Sequence, residues 1–154
     1  MSTLVLDLKA DDMMIINGAP IRVRNKTRLE LNAHARFLFG KQIMPPGAAT
    51  TPGRRIYYAA QTAYIGDASE RPPAREEMRA LCAEFAAHTT SKLAVGILND
   101  AMRAIDEDRC YDALKLVRTI IRHEDAVLGL RPAREREGAG AAAGAGAEAG
   151  AWGA

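Results

Sequence analysis

Aromatic residues are scarce in this chain, at 5% of 154 residues. Its core must therefore be built from Leu, Ile, Val, Met and Ala, and a surface that stacks bases on aromatic rings has little to draw on. Cysteine is scarcer still. Cys82 and Cys110 cannot make a disulfide framework or a zinc site, and both fall in segments of helical pattern, so they read as buried free thiols in a reducing compartment. The three histidines, His34, His88 and His123, have no partner at metal-ligand spacing. Ser2, Ser69 and Ser91 lack a nucleophile-elbow context, and Gly40-Lys41 lacks the glycine spacing and following hydroxyl of a phosphate-binding loop. The expectation is a protein without catalytic residues, metal or cofactor. No apolar run approaches the ~20 residues that span a bilayer. The start of the chain reaches Asp7 too soon for a signal peptide, so a cytoplasmic protein is expected, with no membrane partner.

Acidic residues are also missing, locally. The whole chain carries a formal charge of only +2, yet from Ile21 to Arg55 eight cations face a single acid, Glu30, a net of +7. Acids collect further on, in Glu76-Glu77 and Asp106-Glu107-Asp108. Such asymmetry favours a polyanion as partner of the N-terminal side. Within the basic segment Arg22, Arg24, Lys26 and Arg28 recur at every second position. In an extended strand that spacing puts all four on one face, ~6–7 Å apart, close to the phosphate spacing of a nucleic-acid strand. Arg36, Lys41, Arg54 and Arg55 would extend the surface. The plainer reading is a solvated strand whose charges block edge-to-edge aggregation, which suits one or two lysines better than three arginines and a lysine in alternation.

The pattern divides the chain into three parts. Residues 1–31 read as strands: Leu4, Leu6 and Leu8 alternate with Val5, Asp7 and Lys9, and Asn17-Gly18 is the preferred pair for a two-residue hairpin turn. That turn predicts Ile16 opposite Ala19 and Met14 opposite Ile21, with Met14, Ile16, Ile21 and Val23 on one apolar face. Past Val23 the chain can run straight on or turn over three residues, Arg24 to Lys26; either way Arg22 and Arg28 face solvent.

Residues 32–130 read as mainly helical. Thr51-Pro52 marks a helix start and Gly66 an end, Pro72-Pro73 opens a second helix with Met78, Leu81, Cys82 and Phe85 on one face, and Ser91 caps a third with Leu93, Ile97, Leu98, Met102 and Ile105. Asp108 caps a fourth with Tyr111, Leu114, Val117, Ile121 and Leu128. Short polar joints imply antiparallel packing. The expected architecture is thus α+β: an N-terminal antiparallel β hairpin unit, then an antiparallel helical bundle, together one domain over 1–130. Residues 131–154 are dominated by Gly and Ala and read as a disordered tail in which Trp152 is the only large apolar side chain from Gly138 on.

Five blocks of the sequence carry a resemblance: Leu4 to Lys9, Met14 to Ile21, Ala35 to Met44 with its Arg36-Phe37-Leu38-Phe39-Gly40-Lys41 core, Ala60 to Gly66, and Tyr111 to Leu116 with Ile120 to Glu124. In this order they resemble the flagellum biosynthesis repressor FlbT family. The resemblance implies a small regulator that associates with the 5′ untranslated region of flagellin messenger RNA and promotes its degradation. It brings no catalytic residues and no residue-by-residue RNA contacts, so the basic surface rests on charge alone. A rival expectation is a protein-binding adaptor that recruits flagellin or a companion flagellar regulatory protein through apolar faces and affects the message indirectly.

Overall fold

The computed structural model describes residues 3–33 and 35–129, so His34 and the 131–154 tail lie outside the described residues. Among them the chain forms β1 (Leu4–Leu8), β2 (Met13–Ile16), β3 (Ala19–Arg22), β4 (Thr27–Leu31) and β5 (Phe37–Phe39). Four helices follow: α1 (Pro52–Ile65), α2 (Arg71–His88), α3 (Lys92–Asp106) and α4 (Cys110–Leu128). This is the expected α+β order.

The Asn17-Gly18 turn forms as its chemistry requires. Both residues take positive φ, +48° and +85°, and Ile16 pairs with Ala19 and Met14 with Ile21. β2 then pairs on its other edge with β5, giving the order β3-β2-β5. The stretch after β3 departs from both sequence readings. The ladder runs one residue past β3, through Asp11 N to Val23 O and Val23 N to Asp12 O, and the chain then leaves the sheet. β4 starts at Thr27 and pairs antiparallel with β1, Leu4 opposite Leu31 and Leu8 opposite Thr27. The physical reason lies in β1. Its burial alternates strictly, with Leu4, Leu6 and Leu8 inside, and an isolated strand with that pattern needs an edge partner that also offers apolar side chains. Leu29 and Leu31 supply them.

The two sheets share one small core of Leu4, Leu6, Leu8, Met14, Val23 and Phe37, with Ile16, Leu29, Leu31 and Phe39 around it. A two-stranded ribbon is marginal alone. Burying three leucines at about 1.5–3 kcal/mol each is what fastens it to the second sheet. The middle sheet then uses its two faces differently. Met14 and Ile16 of β2 and Phe37 and Phe39 of β5 point to the ribbon, while Ile15 and Leu38 point into the helical core. The protein is layered as ribbon, sheet and helices.

In the bundle α1 packs against α2 and α4, and α3 against α2 and α4. Thr51 accepts from Arg54 N at 3.3 Å and Ser91 from Ala94 N at 3.1 Å, so both anticipated N-caps are in place. Asp108 does not cap α4. It sits at φ +59°, Arg109 takes the cap position without a side-chain bond, and the Asp108 carboxylate is engaged by an arginine from the β part. Two anticipated core leucines are outside: Leu93 is 76% and Leu128 56% exposed. The buried face of α3 is Ala94, Leu98, Ala101, Ala104 and Ile105, three of the five being small side chains that allow close helix contact.

Candidate nucleic-acid interface

The four alternating cations are all exposed, but they do not lie along one strand. Arg22 ends β3, Arg24 and Lys26 lie in the joint that crosses from one sheet to the other, and Arg28 belongs to β4. Arg22 and Arg28, expected on the solvent side, are there. Each has a carboxylate neighbour: Arg22 Nη2 is 3.3 Å from Asp11 Oδ1, and Arg28 Nε donates to Asp7 Oδ1 at 2.8 Å across the β1–β4 register. The Asp7 hydrogen bond and charge raise the Arg28 pKa above the ordinary guanidinium value. Surface pairs of this kind exchange readily with solvent and with other anions. Arg24 and Lys26 make no ion pair among the described residues. The cationic feature is therefore a corner between two sheets, with two uncommitted charges at its centre and two loosely paired charges beside them.

The other four sequence candidates divide. Lys41 sits half-buried in the 3-10 turn Gly40–Gln42, directly after β5. Arg55 is exposed but lies on the first turns of α1. Antiparallel pairing of α1 with α4 places that turn beside His123 and Val127, whereas the sheet docks near Tyr64 and Cys110 at the opposite end of the bundle. Arg55 is not part of the corner.

Arg54 and Arg36 are corrections. Arg54 is 9% exposed and binds Asp125 through both guanidinium arms, at 2.7 and 3.0 Å, with Glu124 3.7 Å away. The hydrogen bond to Asp125 raises its pKa against the opposing effect of burial. The same Glu124 accepts hydrogen bonds from Thr51 Oγ1 and from Gly53 N at the α1 N-terminus. A carboxylate there meets unsatisfied amides and the positive end of the helix dipole. A Cβ on Gly53 would fall 2.9 Å from that carboxylate, so any larger residue there displaces Glu124 from this approach. Arg54 fastens α1 to α4 and reaches no external phosphate.

Arg36 works at the seam. Its Nη1 donates to Tyr64 O at 3.2 Å, its Nη2 to Asp108 Oδ1 at 2.6 Å, and its guanidinium lies 5.7 Å from the Tyr64 ring centre. Burial opposes the charge, and the hydrogen bonds to Asp108 and Cys110 overcome it, so the pKa is raised. This pair also explains why Asp108 abandons the cap.

The rest of the seam consists of polar side chains that sequence reasoning passed over. Gln61 brackets the Met44 backbone, accepting from its N at 2.7 Å and donating to its O at 3.0 Å. Tyr57 donates to Gln42 O at 2.6 Å, and Gln42 donates to Tyr111 Oη at 3.1 Å. Arg54, Tyr57, Gln61 and Tyr64 recur at spacings of three and four along α1, so a polar stripe on the buried face was the available signal.

Two cavities lie on the surface of the described residues. A cleft of about 660 Å³ lies between the β2–β3 hairpin, the loop after the 3-10 turn and the start of α2. Its charged lining is Glu70 and Glu77 alone. A groove of about 470 Å³ lies at the far end of the bundle between α2, α4 and the first turns of α1. Among the described residues no group of three or more His, Cys, Asp or Glu side chains could hold a metal ion, and no helix is long and apolar enough to cross a membrane.

Fold and surface together define a small α+β protein in which a two-layer β unit is stapled to one end of a four-helix bundle and carries a cationic corner outward. A family model described as flagellar protein FlbT matches residues 4–128. Proteins from Brucella ovis and Brucella abortus, each named probable flagellum biosynthesis repressor protein FlbT, are 31% identical over 131 residues, covering 82% of this chain and 83% of theirs. A protein of the same name from Brucella anthropi is 32% identical over 129 residues, covering 81% and 82%. The chain belongs to the FlbT family. No solved structure matches it.

Proposed function

We propose that this protein represses flagellin synthesis after transcription, by binding the 5′ untranslated leader of flagellin messenger RNA and promoting its degradation without cutting it itself. The flagellum-repressor name of its relatives supports the coarse role. The observation that carries the RNA contact is the corner formed by Arg22, Arg24, Lys26 and Arg28, exposed on an outward surface where the central two charges have no carboxylate partner among the described residues. Phosphates are bound there by point charges; base recognition by stacking has no aromatic platform beside it, so discrimination between leaders comes from RNA shape and from backbone spacing. Binding occludes the leader or holds it open to cytoplasmic nucleases.

A second reading is an adaptor that recruits flagellin or a companion flagellar regulatory protein. The 660 Å³ cleft favours it, because Ile15, Ile43, Met44 and Ile65 line a pocket whose only charges are acidic and therefore repel a phosphate chain. A gel shift with purified protein and leader RNA, with and without purified flagellin, separates the two. A shift with protein alone is the expected result; a shift that requires flagellin supports the adaptor and overturns direct binding.

A further inference from the structure

β4 is an edge strand. Its one strand partner among the described residues is β1, and no backbone of those residues pairs with its outer edge. Such an edge presents a row of free N–H and C=O groups, a template for a further strand. Its inner face is also unfinished. Leu4, Leu6 and Leu8 of β1 are 6%, 1% and 1% exposed, while Leu29 and Leu31 beside them are only half-buried. A strand added at this edge covers them.

What β4 presents there is self-complementary. Its sequence is Thr27-Arg28-Leu29-Glu30-Leu31, a cation and an anion placed symmetrically about Leu29. Two copies laid antiparallel about Leu29 set Leu29 against Leu29, Thr27 against Leu31, and Arg28 against Glu30 twice over. A parallel arrangement in the same register sets Arg28 against Arg28 and Glu30 against Glu30, and is repelled. Charges at a sheet edge ordinarily keep other strands away; here their order selects one. Glu30 makes no ion pair among the described residues, and in the ribbon it stands opposite Val5, whereas Arg28 has Asp7 on that side. The other edges lack this property. Pairing β1 with itself about Leu6 puts the Asp7 carboxylate against Val5, β3 carries Pro20, which removes a donor, and β5 has only 3 residues.

We propose that a second copy of this chain pairs on β4, antiparallel about Leu29, to make the four-stranded sheet β1-β4-β4-β1 across a twofold axis. Each Arg28 then lies between Asp7 of its own chain and Glu30 of the second copy. Phosphate contact falls chiefly to Arg24 and Lys26, which precede β4 and so stand at both ends of the paired strands, roughly 20 Å apart at ~3.4 Å per residue. One RNA leader can bridge the two corners, the second contact forming at high effective concentration. That consequence rests on the RNA reading given above; the dimer does not. A pair of 5-residue edges is a small interface, so association is weak, and stability measured on dilute protein is that of the monomer.

Sedimentation velocity on the full chain, without RNA, tests the dimer. The weight-average mass should rise with concentration from 16.6 kDa towards twice that value. Arg28→Glu and Glu30→Arg, each made alone, put like charges opposite each other at both positions and should stay monomeric where the unsubstituted protein dimerises. Mixed in equal amounts, the two variants present opposite charges again, and dimer should return. Leu29→Cys gives a reading that changes no charge. Position 29 sits on the axis, so mild oxidation should link two chains through it, while Val5→Cys, one strand further out, should not link. The native Cys82 and Cys110 are buried and give no background. An unsubstituted protein that stays at 16.6 kDa at the highest concentration reached would overturn the proposal. So would single variants that dimerise as the unsubstituted protein does, or a mixture that stays monomeric although both variants keep native circular dichroism. Cross-linking through Val5→Cys that matches Leu29→Cys would also overturn it, placing the contact at β1.

Discussion

Arg54 of the helical bundle and Arg22 and Arg28 of the β part put the same guanidinium to opposite uses. In the bundle Arg54 is buried, bidentate to Asp125 and surrounded by groups whose positions depend on it. On the β part Arg22 and Arg28 are exposed, each beside one equally exposed aspartate. The residue type is the same and the consequence is not. Inside, the charge must stay paired because its partners have no water to turn to; outside, water and any passing anion compete for it. Arg54 therefore serves the cohesion of the bundle, whereas Arg22 and Arg28 stay open to solvent and to other anions.

The sharpest way to break this contrast is Arg54→Ala. It strands Asp125 and Glu124, and urea unfolding should show a loss of about 3–5 kcal/mol. Adding Asp125→Ala should recover part of that loss, since the second change removes a charge the first left unpaired. A loss under ~1 kcal/mol for the single variant would show that the pair is not the fastening described. Next in size is the seam. Leu38→Ala empties a fully buried position between sheet and bundle and should cost about 2–5 kcal/mol, with unfolding still a single transition if the two parts melt together. Two separated transitions would show that the β part is an independent unit. Ser91→Ala removes the α3 cap and should cost ~1 kcal/mol. Arg28→Ala and Arg22→Ala come last, with no measurable change in unfolding midpoint, and a clear shift in either would put those arginines in the same class as Arg54.

Buried chemistry sharpens the picture further. Burial pushes the Cys82 thiol up to about 11. The folded protein keeps that proton while the unfolded chain loses it at the ordinary thiol value, so stability should fall as pH rises from the ordinary value towards about 11 and should not change on this account at neutral pH. At neutral pH Cys82 should react with a maleimide only at the rate of unfolding; rapid labelling of native protein would contradict its place in the core.

Much of this fold was legible from local chemistry. Asn17-Gly18 gave the hairpin and its register, and Thr51 and Ser91 gave two helix starts, because each signal acts on the backbone within a few residues. What was not legible was set by distant partners. The alternation of Arg22, Arg24, Lys26 and Arg28 looked like one strand face, but β1 lies outside that window and its need for an apolar partner drew β4 away. Asp108 looked like a cap until Arg36, 72 positions away, took its carboxylate. Arg54 shared a helix face with Tyr57, Gln61 and Tyr64, a pattern that marks a buried polar stripe, yet its charge made it look like surface. A charged side chain takes its meaning from what the fold brings to it.

The proposed RNA contact requires that the exposed corner, and not cation content as such, binds the message. It is tested most directly by the salt dependence of leader-RNA affinity for the unsubstituted protein and for Arg24→Ala/Lys26→Ala, with Arg55→Ala as a cation removed from the far end. The double variant should bind more weakly, and its slope of log affinity against log salt should be shallower by about 1.4, two single-strand phosphate contacts at ~0.7 each, while Arg55→Ala leaves the slope unchanged. Equal affinity and equal slope for all three proteins would contradict the claim.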